Sequence, residues 1–168
     1  MRSVCWWVRW AGCETAGVSI VGAVGRGMIA GAVGTVAMTV TQRAEMALTD
    51  RKPSTVPGQV GAHLIPGRDP DNDADVQQLN AGVHWGHGIS MGAVRGLLRA
   101  AGLSGPAASA AHFALLWVSD VVLYKSLGIA EAPWRWTGRE ITTDLAHKGV
   151  YAAVTGAAYD ALTAKATR

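Results

Sequence analysis

Charged side chains are scarce: Asp, Glu, Lys and Arg make up 16% of the 168 residues, against roughly 25% in an average soluble domain. Water-soluble helical bundles carry a charged outer face, and the helical stretches of this chain lack one. Cysteine is nearly absent. Cys5 and Cys13 both stand in the first 13 residues, which specifies neither a disulfide framework nor a tetrahedral metal set. Basic runs are missing too, since none is longer than Arg51-Lys52 and the net charge is only +3. Nucleic acid is therefore not an expected partner. The templates of common enzymes are also lacking. No Gly-rich loop joins a strand to a helix, no HExxH occurs, and the serines have no evident His and Asp partners. Finally, no segment is the uninterrupted 18-residue apolar run of a simple single-pass helix.

What is present is small and apolar. Hydrophobic residues reach 49% and glycines number 21, while a long polar loop keeps the mean hydropathy at +0.18. The chain is organised around GMIAGAVGTVAMTVTQRAEMALT, residues 27–49. At roughly 100° per residue, Gly27, Gly31, Gly34, Met38, Thr41 and Glu45 share one narrow stripe. Small residues at this spacing let helix backbones touch, the usual mode of association where lipid removes the hydrophobic drive. The stretch reads as a transmembrane helix that packs through its glycines and carries Glu45 toward a protein interior.

The same pattern recurs along the chain. Residues 1–16 read as a tryptophan-bearing tail, disordered or lying at the membrane interface. Trp10-Ala11-Gly12-Cys13 is only a faint lipoprotein box, because Arg9 interrupts the apolar run before it. Residues 17–168 form one domain with helices expected over about 26–49, 76–103, 106–127 and 142–164. Asp50-Arg51-Lys52-Pro53 ends the first helix. A polar loop over 50–75 holds Pro53, Pro57, Pro66 and Pro70, with room for a short surface helix at Gln59 to Ile65. Asp73 or Asp75 is placed to cap the second helix. Gly88, Gly92 and Gly96 repeat the four-residue small spacing in that helix, and Gly149, Ala153 and Gly156 do so in the last. Trp134 and Trp136 in the preceding loop are candidate interfacial anchors. The fold class is all-α, an integral membrane four-helix bundle with Gly/Ala packing. The positive-inside count ties between the two sides, so orientation stays open.

Alternating helix direction brings the ionisable residues to the long-loop end. There Glu45, His84, His87, Asp120 and His147 form a candidate polar pocket, because charges within a membrane span face the interior or a water-filled cavity and pair with each other. The pocket could relay protons, since imidazole titrates near neutral pH. His84, His87 and His147 are the candidate metal ligands, although no second HxxH or ExxH accompanies the i, i+3 pair. The alternative is that these groups only tie helix ends together. Asp144 and Lys148, an i, i+4 pair, read as a solvated helix start. His112 reads as a satisfied core histidine. Arg95 and Asp160 form a candidate structural ion pair at the opposite end. No cofactor is expected.

At GMIAGAVGTVAMTVTQRAEM, LNAGVHWGHGISMGAVRGLL, AAHFALLWVSD and LAHKGVYAAVTGAAYDAL the chain resembles the YagU-like small bacterial membrane proteins over residues 25–165. The resemblance implies a multi-pass helical protein of the bacterial inner membrane and transfers no catalytic residue. Two functions follow as expectations. The first is a structural or interaction module, with the bilayer, another membrane protein or a second copy as partner. The alternative is an ion-, proton- or small-ligand-binding, transport-like protein that uses the His/Glu pocket. An enzyme ranks behind both.

Overall fold

A computed structural model describes residues 19–166; the tail over 1–16, with both cysteines, lies outside them. Among the described residues there are five α-helices, one 3-10 turn and no strand. They are α1 (Ile20–Thr49), α2 (Val56–Leu64), α3 (Asp73–Ala100), α4 (Gly105–Ser126) and α5 (Gly138–Ala166), with the 3-10 turn at Pro133–Arg135.

Local chemistry sets the boundaries. The Ser19 hydroxyl accepts from Gly22 N and caps α1, so the helix begins a turn and a half before residue 26. Its C-terminus closes on Asp50, which adopts the left-handed region at φ 52°. Asn72, rather than either aspartate, caps α3 by accepting from the amides of Ala74 and Asp75. Asp73 and Asp75 instead occupy the first turn, where their charge favours the helix N-terminus. Thr137 and Glu140 satisfy each other's backbone amides at the start of α5, the reciprocal geometry of a capping box. That start lies four residues earlier than the expected position 142.

The polar loop is not open coil. Its centre is α2, which begins at Val56-Pro57 and buries Gly58, Val60, Gly61 and Ala62 against α3. A side chain at Gly58 would strike the carbonyl of Val76, so the two helices touch backbone to backbone there. Asn80 of α3 clamps the junction: its Oδ1 accepts from Gly58 N at 2.8 Å and its Nδ2 donates to Ser54 O at 3.0 Å.

Around this, α1 lies against both α3 and α5, and α4 leans mainly on α5. The α1–α3 seam is backbone on backbone. A Cβ at Gly27 would overlap the Gly92 carbonyl, one at Gly31 would stand 2.6 Å from Gly88 O, and one at Gly96 would overlap Ala23 O. The stripe then turns to α5, where Gly34 makes room for Thr155 and Tyr151. Of the small face expected on the last helix, only Gly156 is a contact, against Ser109. Nothing stands within 4 Å of a Cβ built at Gly149, and Ala153 is exposed. The face that α5 buries is Tyr151, Ala152, Thr155, Gly156 and Tyr159.

Polar side chains share the core with apolar ones, more than is usual for charged residues. The largest fully buried side chains are Arg95, Tyr151, Tyr159, His112, Thr35, Thr155 and Asp120. The outer surface carries Val21, Ile29, Val36 and Val40 on α1 and Leu115, Val118 and Val122 on α4. These two helices, and only these among the described residues, are long and apolar enough to cross a membrane.

Candidate functional site

The α2 end of the bundle holds a groove of about 770 Å³ whose lining comes from all five helices. Its inner end is built on Asp120, which α4 presents with a side chain only 3% exposed. Lys148 of α5 reaches Asp120 Oδ2 at 3.1 Å and Asp144 Oδ1 at 2.9 Å. His87 Nε2 of α3 stands 3.0 Å from Asp120 Oδ1, placed for charge attraction although its N–H is not aligned as a hydrogen bond. Trp117 Nε1 donates to Asp144 Oδ2 at 3.0 Å, and the Lys148 ammonium lies 5.5 Å from the Tyr124 ring centroid. Two carboxylates thus hold one ammonium, with an imidazole at the open side. A charge taken out of water needs this much company.

Of the remaining candidates, His84 and His147 line the same groove and Glu45 does not. His84 Nε2 is 3.2 Å from Thr39 Oγ1. The Thr39 proton is already given to Thr35 O at 2.7 Å, so His84 is the donor and its Nε2 carries the hydrogen. Glu45 does not enter the interior. It accepts from Arg51 at 2.7 Å and from Thr49 at 2.9 Å, because the left-handed Asp50 turns the chain back and returns Arg51 to the last turn of α1. Glu45 and His147 line a shallow furrow between α1 and α5, separate from the Asp120 cluster. His147 also reaches the groove wall. His84, His87 and His147 thus share the groove but have different immediate neighbours: Thr39, Asp120 and the α1–α5 furrow. Among the described residues no three His, Cys, Asp or Glu side chains stand together as a metal-ligand set.

Lys148 corrects the reading of 144 and 148 as a solvated helix start: it is 8% exposed and is the main partner of Asp120. The periodicity of α5 carried a signal for this. Asp144, Lys148, Tyr151, Thr155 and Tyr159 recur at steps of four, three, four and four, a polar stripe on the face that packs inward.

Toward the opposite end, Arg95 is fully buried and its Nη2 donates to Asp160 Oδ1 at 2.9 Å. Its guanidinium carbon lies 4.7 Å from the Tyr159 ring centroid. Burial is unequal, since the Asp160 side chain is 48% exposed. His112 is a core histidine as read from the sequence: it is fully buried and Nε2 donates to Met91 O at 2.8 Å. Its Nδ1, Thr155 Oγ1, Tyr159 OH and two of the three Arg95 nitrogens are buried with no partner.

The titrating groups at the starts of α3 and α5 are ordinary capping charges. Arg68 and the Asp69 amide hold the Asp75 carboxyl below its usual range. The Thr137 amide and hydroxyl do the same for Glu140.

The class defined by these features is an all-α protein with charged and polar side chains in its core, two helices long and apolar enough to cross a membrane, and a polar groove at one end of the bundle. No family model, curated protein or solved structure matches the chain.

Proposed function

We propose that α1, α3, α4 and α5 all cross the bilayer, and that the chain is a multi-pass protein of the bacterial inner membrane whose groove holds a small ion or polar ligand. The resemblance to YagU-like proteins agrees with the first half of this reading and contributes nothing to the second. The apolar outer faces of α1 and α4 support membrane insertion, and Arg95 of α3 and Lys148 and Thr155 of α5 are buried between helices. The observation that carries the functional reading is Asp120, a buried carboxylate held by Lys148 and faced by His87 at the inner end of a groove that opens beside α2. Purely structural lacing would not require a groove of that size next to the charges. Arg43 and Arg139 stand on the groove walls, exposed, and favour a ligand of negative or mixed charge.

Native mass spectrometry of the detergent-purified protein tests this. The wild type is expected to carry a bound small species that Lys148→Met loses. Wild type and variant with identical bare masses would sink the ligand reading.

One observation favours a second reading, an interaction module of the membrane. Gly82 and Gly86 lie four residues apart on α3 with nothing within 4 Å of either, and Gly149 with Ala153 leaves a similar open face on α5. Such uncovered small faces suit a further helix from a second copy or another membrane protein. Replacing Gly82 and Gly149 with Leu is expected to leave the bundle folded while reducing self-association in detergent. Unchanged oligomeric state would remove this reading.

A further inference from the structure

We propose that the groove takes an anionic phospholipid of the surrounding bilayer, its phosphate held by Arg43 and Arg139 and an acyl chain laid along the apolar wall. This rests on the reading of the chain as a membrane protein whose groove binds a ligand. The groove volume of about 770 Å³ falls within the roughly 300–1,000 Å³ of small-ligand sites. Charge decides what it selects. The lining contains three acids, Asp120, Glu140 and Asp144, and four cations, Arg43, Arg51, Arg139 and Lys148.

The acids are already engaged. Asp120 faces Lys148 through Oδ2 at 3.1 Å and His87 through Oδ1 at 3.0 Å. Asp144 holds Lys148 through Oδ1 at 2.9 Å and accepts from Trp117 through Oδ2. The inner end therefore has no carboxylate left for a cationic ligand. Glu140, on the surface, accepts from the amide and hydroxyl of Thr137. Among the cations, Lys148 is shared by two carboxylates and Arg51 is bound to Glu45 at 2.7 Å. Arg43 and Arg139 remain: both are exposed, and neither has an ion pair among the described residues. One stands near the C-terminus of α1 and the other at the N-terminus of α5, two helices that pack together. Their planar guanidiniums suit phosphate oxygens, which they can bind in pairs.

Much of the remaining wall is apolar. Met38 and Met46 of α1, Val60 of α2, Val83 of α3, and Leu116 and Leu123 of α4 line it. A free phosphate would leave that surface uncovered. An acyl chain covers it, and the two methionines can adapt to its shape. Trp85 and Trp136 also line the groove, and Trp134 beside them is 78% exposed. Tryptophan concentrates at the membrane–water interface, so in the membrane reading this end of the bundle lies level with the lipid headgroups. Basic pockets between spanning helices at that level bind the headgroups of anionic phospholipids. A phosphate at Arg43 and Arg139 would sit where bilayer phosphate already lies, with its chain directed inward along α1 and α4.

The test is native mass spectrometry of delipidated protein in detergent, titrated separately with phosphatidylglycerol and with phosphatidylcholine of the same acyl chains. Wild type is expected to bind one phosphatidylglycerol about tenfold more tightly than phosphatidylcholine. Arg43→Gln combined with Arg139→Gln should bring the two lipids level. Arg135→Gln removes an exposed cation of the same end outside the groove lining and should keep the preference. Equal binding of the two lipids by wild type overturns the proposal, as does a preference that survives in the double variant or disappears in Arg135→Gln. Inorganic phosphate is the third probe. If it displaces phosphatidylglycerol, the site takes a free anion, and the lipid assignment falls while the ligand-binding groove stands. A Lys148-dependent species of non-lipid mass on the protein as first purified has the same consequence. Protein that carries nothing and binds neither lipid nor phosphate removes the groove reading as well.

Discussion

The α1–α3 seam and the α4–α5 seam are both helix contacts in one small bundle, and they are built on opposite principles. Along α1–α3 the contact is carbonyl against Cα, with Gly27, Gly31, Gly92 and Gly96 leaving no volume to spare. Along α4–α5 it is made by Asp120 with Lys148, Trp117 with Asp144, and Ser109 against Gly156. The first seam is specified by shape and tolerates nothing larger than hydrogen. The second is specified by charge and hydrogen bonding, and the groove opens beside it. In this protein rigidity and polarity are segregated to different faces of the same helices, so a site with buried charges is held against a seam that cannot shift.

Breaking the glycine seam should have the largest effect. Gly92→Leu drives a side chain into Gly27 O and Gly31 Cα. It should cost more than about 3 kcal/mol, the upper end of ordinary overpacking, because backbone cannot move aside as a side chain can. Loss of the folded species in detergent, read by circular dichroism and size-exclusion chromatography, is the expected result. Breaking the polar seam should come next. Lys148→Met leaves Asp120 and Asp144 without their shared cation and should cost about 3 kcal/mol, since removing one partner strands a buried charge. Adding Asp120→Asn to Lys148→Met should recover part of that loss. A double variant no more stable than Lys148→Met alone would mean the pair is not coupled.

A glycine outside both seams sharpens the contrast. Gly82→Ala meets open space and should stabilise α3 by up to about 1 kcal/mol through helix propensity, opposite in sign to Gly92→Leu. Equal destabilisation by both, measured by thermal unfolding in detergent, would show that glycine position does not matter. The smallest effect concerns pH at the N-terminal end of α3. The Arg68 contact lowers the Asp75 carboxyl from its ordinary 3.8. Its contribution is therefore complete above that value and is lost as pH falls through the lowered folded value. Proteolysis of the segment before α3 should rise on acidification below pH 3.8 in wild type, and Asp75→Asn should flatten that dependence.

Several of these features were legible in residue order. Glycines four apart mark the packing faces of α1 and α3 in the sequence, because that spacing places backbone at one face whatever the partner, and the structure joins the two faces. Arg95 and Asp160 were paired from their levels on adjacent helices, and the structure joins them at 2.9 Å. Glu45 was misplaced because its stripe position says nothing of Arg51, which returns only through the left-handed turn at Asp50. Lys148 was misread because an i, i+4 pair with Asp144 looks the same on a solvated helix and a buried one. Only the approach of α4 separates the two. The short surface helix expected at Gln59 to Ile65 forms instead at Val56–Leu64, and its burial depends on Gly58 and Gly61 meeting α3.

By itself, then, the sequence determined the helices, their glycine contact surfaces and the end at which the ionisable residues gather, since these follow from periodicity and chain direction. Which base meets Asp120 and which meets Glu45 was decided by tertiary structure alone. Periodicity places a side chain on a face to within a turn, whereas an ion pair forms or fails over about an ångström, a distance set by how helices from remote parts of the chain lean on one another.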